Sequence, residues 1–279
     1  MQLATVMLDR IVVQIELPPA ESDIIPGLKW GHVEAFPSPA YWAYQVYAAR
    51  ALGKKANYKL GGSLLEETGA CLLGGHGIPA AVGLSAYQHL KSKGAFSGAK
   101  ISESALYEWL SEPIPNGEKT VRYRFAKQKA KYLASAIDKI VSELAPVSSG
   151  KELRDWLLPI AGVGYKTASW IARNWLDADD VAILDIHILR AGLLGGFFDK
   201  SLSIERDYLK LEEQFVAFSN ALGVRASELD ATIWYEMMES NVTVHRLLEF
   251  GDESAVSPVK IAMKPRKRNA NTKQMSLLH

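Results

Sequence analysis

Apolar residues recur at helical spacing through most of the chain. The run YWAYQVYAARALG, from Tyr41, places them three or four positions apart, and the same period returns over 63–73, 78–93, 102–110, 123–144 and 150–158. It continues over 165–175, 185–194, 204–222 and 228–239, with an extension expected through 245–250. The first forty residues differ. Ile11–Leu17 is their one β-prone run, and the proline-bearing stretch 18–39 predicts an irregular arm laid on the surface. The closing SPVKIAMKPRKRNANTKQMSLLH predicts a flexible basic tail, and no internal repeat is visible. The predicted fold is therefore mainly all-α, with an N-terminal irregular arm.

Composition narrows the class without changing that picture. A chain of 279 residues, 48% hydrophobic and 23% charged, can bury a substantial core in one or two domains, so disorder is not its default. The net charge of +1 hides two basic clusters, one of Lys119, Arg122, Arg124, Lys127, Lys129 and Lys131, the other of Lys260, Lys264, Arg266, Lys267 and Arg268. Both are compatible with an anionic polymer. The single cysteine, Cys71, excludes an intramolecular disulfide and an iron–sulfur cluster held by four protein thiolates, and suits a reducing interior. MQLATVMLDRIVVQIELPP carries Asp9, Arg10 and Glu16 inside its apolar run, which makes a poor signal peptide, and no later apolar run is long enough to span a bilayer. A cytoplasmic protein with no membrane partner is expected.

The chemistry concentrates in GVGYKTASWIARNWLDADDVAILDIHILR, Gly162 to Arg190. A helix over 150–158, a tight connection over 159–164 and a second helix over 165–175 make a helix, hairpin, helix unit. Glycines at such a turn point backbone N–H groups outward where the positive end of the helix dipole favours a phosphate. An ordinary αα-hairpin with glycine in its corner gives the same pattern. Lys166, however, sits in the first turn, where the dipole opposes a cation and favours the neutral, nucleophilic amine. A phosphate-binding or merely solvated lysine is the alternative. A helix of this length advances about 15 Å, and the loop 177–184 is long enough to return Asp185 toward its start. Asp185 also reads as a plain N-cap of IHILRAGLL, and both readings can hold together.

IAGVGYKTASWIARNW followed by VAILDIHILR resembles the signature of the helix-hairpin-helix DNA glycosylase superfamily, which includes endonuclease III and the 8-oxoguanine DNA glycosylases. Ile160, Ala161, Gly162, Val163, Gly164, Tyr165 and Lys166, then Leu184, Asp185, Ile186 and His187, fall on its motif, with Ala161 in place of the usual proline. Upstream, LLEETGACLLGGHGIPAAVGLSAYQHL resembles the helix and loop before the DNA wedge, and YRFAKQKAKYLASAIDKI the lysine-rich helix before the hairpin. The missing cysteine cluster places the resemblance in the cluster-free 8-oxoguanine branch. The arm before Tyr41 is too short for the large β domain of some members.

The resemblance implies two helical domains with a cleft between them: an arm and first helix over 1–60, a domain ending in the hairpin over 61–176, a domain bearing the catalytic aspartate over 177–256, and a tail over 257–279. It implies a monomeric, bifunctional glycosylase and AP lyase that everts a damaged nucleotide from duplex DNA and excises its base, an oxidised purine such as 8-oxoguanine. Lys166 would attack C1′ and form a Schiff base, and Asp185 would stabilise the charge developing on the sugar. Gly162, Val163, Gly164, Tyr165, Thr167 and His187 would meet DNA, and His76 would fill the hole left by the base or be a loop histidine with no such task. No cofactor is implied beyond, at most, a monovalent cation at the hairpin backbone. Trp170, one turn after Lys166, would border the base or pack in the core, and Trp234 and Tyr235 would form a further wall or pack likewise.

The tail residues Gln274, Met275, Ser276, Leu277 and Leu278 resemble the short peptide by which bacterial repair proteins dock on the replication sliding clamp; an unstructured end is the alternative. Two rival functions remain: the same chemistry on a different modified base, as in foreign DNA, and a hairpin module that holds DNA without cutting it.

Overall fold

The structure, a computed structural model, describes residues 1–53, 58–75, 77–240 and 244. These are mainly helical. In chain order the elements are β1 (Gln2–Leu8), β2 (Ile11–Leu17), β3 (Asp23–Ile25), β4 (Leu28–Lys29), α1 (Pro39–Ala51), α2 (Leu64–Leu73), α3 (Ala80–Ser92), α4 (Glu103–Ser111), β5 (Ile114–Asn116), β6 (Lys119–Val121), α5 (Ala126–Ser142), α6 (Gly150–Leu157), α7 (Tyr165–Leu176), α8 (Ile186–Gly195), α9 (Ile204–Leu222) and α10 (Ala226–Glu239). The chain divides into two compact units. Tyr58–Ile183 forms the hairpin unit, and Met1–Asn57 with Leu184–His279 forms the terminal unit. The continuation expected over 245–250, the basic tail and His76 lie outside the described residues.

In the hairpin unit α2 is the central rod. Nine of its ten residues are buried, as expected of a helix apolar on nearly every side, and α3, α5 and α7 pack around it. Its one buried charge is Glu67. Glu67 Oε2 accepts the backbone N–H groups of Leu60 at 2.7 Å and Gly61 at 2.8 Å, while Oε1 accepts Asn174 Nδ2 of α7 at 2.7 Å. Gly61 is obligatory for this approach, since a Cβ there would lie 2.5 Å from the Glu67 nitrogen. One turn on, Cys71 is fully buried, and that burial pushes its thiol well above the usual range, so it serves as a small apolar filler.

At the other end of the unit, Asp180 caps α6. Its Oδ1 accepts Gly150 N–H at 3.0 Å and its Oδ2 accepts Lys151 N–H at 3.1 Å. Gly150 admits the carboxylate because it has no side chain; a Cβ would stand 2.4 Å from Oδ1.

The terminal unit gathers α1, α8, α9 and α10 with the first strands. Phe197 stacks on Phe218 at 4.0 Å, and Gly192 lies so close to Phe198 that a Cβ would fall 2.0 Å from its ring. Arg50 grips Glu228 through two bonds of 3.0 and 2.6 Å, joining α1 to α10.

Three short strand pairs correct the sequence reading. Gln2–Leu8 is a strand in full register with Ile11–Leu17, turning at Asp9, which takes the left-handed φ of 51° that aspartate tolerates. It escaped notice because Leu3 and Met7 on its outer face are exposed, so apolar and polar residues do not alternate. Stretch 18–39 is less irregular than expected: it holds the pair β3–β4, and Gln2 stitches it down through bonds to Pro18 O, Gly31 O and Val33 N. The hairpin β5–β6 turns through Gly117 at φ 65°, with strands of three residues, too short for a period to register. Among the described residues no helix is long and apolar enough to cross a membrane.

The Glu67 anchor is testable. Glu67→Ala strips two backbone donors and Asn174 of their buried acceptor and should cost roughly 3 kcal/mol in urea denaturation. Glu67→Gln, which keeps one acceptor oxygen, should lose less.

Candidate functional site

The corner of the hairpin is a tight turn closed by Val163 N–H donating to Ile160 O at 3.0 Å, with Gly162 at φ 79°. Positive φ at the third position is the mark of a type II turn, which wants glycine there and accepts proline just before it. Ala161 occupies that preceding position and so brings an N–H that proline lacks. The donor is met by Ser135 Oγ of α5 at 3.0 Å. One turn back on the same helix, the ring of Tyr132 lies flat against Gly162, where a Cβ would fall 2.2 Å from it. Gln128 in turn donates to the Tyr132 hydroxyl at 2.8 Å.

Past the corner, Gly164 is the N-cap of α7 and brings no capping side chain, and the first turn of the helix has no acidic residue. Nothing on the helix itself therefore offsets the positive end of its dipole. Gly162, Gly164, Tyr165 and Lys166 are exposed, Thr167 is half-buried, and Val163 is buried as the plug beneath the turn. The Arg154 guanidinium lies 5.9 Å from the Tyr165 ring. Trp170 is half-buried and packs on the core with its Cη2 near Gly74, where a Cβ would meet it at 3.7 Å.

Gly74 opens the loop that follows α2, and the end of that helix is held by two side chains from the α5 region. Lys129 Nζ donates to Leu72 O and, at 3.2 Å, to Gly74 O, while the Tyr123 hydroxyl donates to Leu73 O at 2.6 Å. Burial lowers the Lys129 ammonium below the usual lysine range and raises the Tyr123 phenol. A cation against C-terminal carbonyls also matches the negative end of the α2 dipole.

In the terminal unit Asp185 is the N-cap of α8, its Oδ1 accepting His187 N–H at 2.8 Å and Ile188 N–H at 3.1 Å. Leu184, just before it, is fixed by its N–H to the Tyr208 hydroxyl at 3.2 Å. The His187 ring meets Trp234 edge to face at 6.3 Å, so two of the predicted residues come together. Trp234 and Tyr235 are 37% and 38% exposed, available for contact rather than consumed by the core. The hairpin, Lys166 and Trp170 thus belong to one unit, and Asp185, His187, Trp234 and Tyr235 to the other. Tyr132, Ser135, Lys129 and Tyr123 were not singled out from sequence as site residues, because side chains that brace a turn carry no motif of their own.

The model of a family described as 8-oxoguanine DNA glycosylase matches residues 63–224, more than half of the chain. The chain belongs to this family. Among proteins of that name, the 8-oxoguanine DNA glycosylase/AP lyase of Saccharolobus islandicus is 33% identical over 171 residues, covering 58% of this chain and 76% of the relative. The one from Methanocaldococcus jannaschii is 37% identical over 130 residues, or 44% of this chain and 62% of that one. The crystal structure of the 8-oxoguanine DNA glycosylase of Thermotoga maritima shares the fold, with a TM-score of 0.52 at 23% identity over 71% of this chain and 94% of the other. The matched region runs from the N-cap of α2 to just past α9 and so contains the hairpin, Lys166 and Asp185. The N-terminal strands fall outside it.

The Ser135 bond and the type II geometry predict a coupled pair of effects. Ser135→Ala leaves the Ala161 N–H without its acceptor and should cost about 1–3 kcal/mol in thermal or urea unfolding. Ala161→Pro removes that donor, so the same Ser135→Ala change in the proline background should cost much less; equal costs in both backgrounds would refute the assignment.

Proposed function

We propose that this chain is an 8-oxoguanine DNA glycosylase with AP lyase activity. The observation that carries the reading is membership of that family together with Lys166 at the start of α7, directly behind the braced turn, and Asp185 at the start of α8. Duplex DNA with an oxidised purine is the substrate, and the lesion nucleotide is everted before reaction, because its C1′ is out of reach inside the stack. The turn is exposed at Gly162 and Gly164 and supplies backbone N–H groups suited to a phosphate, the Val163 N–H being spent on Ile160 O, with Thr167 and His187 as further DNA contacts. Trp170, Trp234 and Tyr235 are the aromatic surfaces offered to the base.

In the reaction the Lys166 amine lone pair forms a bond to C1′ as the bond from C1′ to the base nitrogen breaks, and the base leaves with that electron pair and takes a proton. The Asp185 carboxylate stabilises the positive charge the sugar gains meanwhile. Loss of the amine proton and opening of the ring give the Schiff base. Removal of a proton from C2′ then expels the 3′ phosphate, which is the lyase step. The enzyme acts as a monomer in the cytoplasm, and the tail residues Gln274, Met275, Ser276, Leu277 and Leu278 bring it to the sliding clamp.

Borohydride should trap a covalent adduct with DNA carrying 8-oxoguanine opposite cytosine, and Lys166→Gln should abolish it. Across a panel of duplexes that lesion should be released fastest; faster release of another base would reassign the substrate. Asp185→Asn keeps the capping oxygen, so stability should stay within about 0.5 kcal/mol while single-turnover excision slows by roughly 100-fold or more. A double change of Leu277 and Leu278 to alanine should remove binding to the sliding clamp in fluorescence polarisation and leave excision on naked DNA unchanged.

A further inference from the structure

The stretch 119–137 contains no aspartate or glutamate, yet carries Lys119, Arg122, Arg124, Lys127, Lys129 and Lys131. Lys129 is spent on the carbonyls ending α2. The other five are exposed, and among the described residues none has an ion-pair partner. Elsewhere in the hairpin unit Lys91 pairs with Glu66, Lys93 with Glu112, Lys100 with Asp138 and Lys139 with Glu143, while Lys151 stands exposed without an ion pair among the described residues. Glu118 lies at the tip of the β5–β6 hairpin beside Lys119, and Glu103 lines a shallow depression with Lys127 and Tyr107.

Position gives this charge a direction. Lys127, Lys131 and Ser135 succeed one another at intervals of four along α5, so they form a single stripe. Its last member touches the hairpin at Ala161. From Ser135 back to Lys127 the helix runs about 12 Å, and Arg124 and Arg122 precede it in the segment that joins it to β6, where Lys119 sits. A strand of duplex DNA spaces its charges about 3.4 Å apart along the axis, so the helical part alone matches some three or four nucleotides.

We propose that Lys119, Arg122, Arg124, Lys127 and Lys131 form a phosphate track, continuous with the hairpin, that follows one strand of duplex DNA beyond the phosphate at the turn. This rests on the glycosylase reading for the hairpin's role but makes its own demand on affinity. The track is blind to sequence and lesion, and its contribution is electrostatic, so it fades as rising salt lowers the entropy gained from each counterion released.

The test is equilibrium binding to a 25-bp duplex carrying a tetrahydrofuran abasic analogue, between 50 and 200 mM KCl. The variant Arg122→Gln/Arg124→Gln/Lys127→Gln/Lys131→Gln should show a log–log salt slope shallower by about 3.6, so that the wild-type advantage shrinks roughly 100-fold over that range. Lys93→Gln/Lys100→Gln, which removes two paired cations, should leave the slope close to wild type. Circular-dichroism melting of both variants checks that each is folded. An unchanged slope in the fourfold variant, or an equal fall per charge in the paired-lysine variant, overturns the proposal. Borohydride trapping by the wild type on lesion DNA reports separately on the glycosylase reading, so the two can fail independently.

Discussion

Tyr132 leaves Gly162 no room for a side chain, and much of the candidate site depends on that contact. The turn needs a residue that can hold φ near 80° and let an aromatic ring lie on its backbone, and only glycine does both. Once the ring is seated, the corner of the hairpin is pressed to α5 and the start of α7 is fixed in space. Ser135 adds the polar half of the same grip by accepting the partly buried N–H of Ala161. The lysine that the chemistry needs therefore sits on a helix whose first turn is held from behind while its outward face stays open.

The far end of α7 is held by an unrelated device. Asn174 reaches Glu67, and Glu67 at the same time gathers the N–H groups of Leu60 and Gly61, so one buried carboxylate ties α7, α2 and the segment entering the unit. A buried ion is a poor source of stability but a good source of uniqueness when all its partners are supplied, because any other arrangement leaves it unsatisfied. With a packed turn at one end and a satisfied carboxylate at the other, α7 has little freedom to rotate. The backbone that carries Lys166 and Trp170 is thereby held at both ends of the helix.

Legibility in the sequence followed the range of the interaction. The helices were readable because their apolar periods are local, and Gly162, Gly164, Lys166 and Asp185 were readable because a turn, a helix start and a cap each constrain residues only a few positions apart. Tyr132 and Ser135 were not, since nothing within α5 distinguishes a side chain that meets a glycine thirty or so positions later from one that faces water. Glu67 was equally silent: a glutamate on an apolar helix announces a conflict but not which of its neighbours resolves it. Gln2–Leu8 was lost for the opposite reason, because apolar side chains on its exposed face erased the alternation that marks a strand.

Asp185 shows that a structural and a chemical role need not compete. As a cap it spends Oδ1 on two backbone N–H groups, which fixes the carboxylate at the head of α8 before any substrate arrives. Electrostatic stabilisation of a developing charge is strongest when the stabilising group has no reorganisation left to undergo. A free aspartate on a loop would have to be ordered during the reaction, and the cost would fall on the barrier. Capping transfers that cost to folding. The bond that makes Asp185 look like an ordinary helix start is, on the proposed chemistry, the means by which it acts.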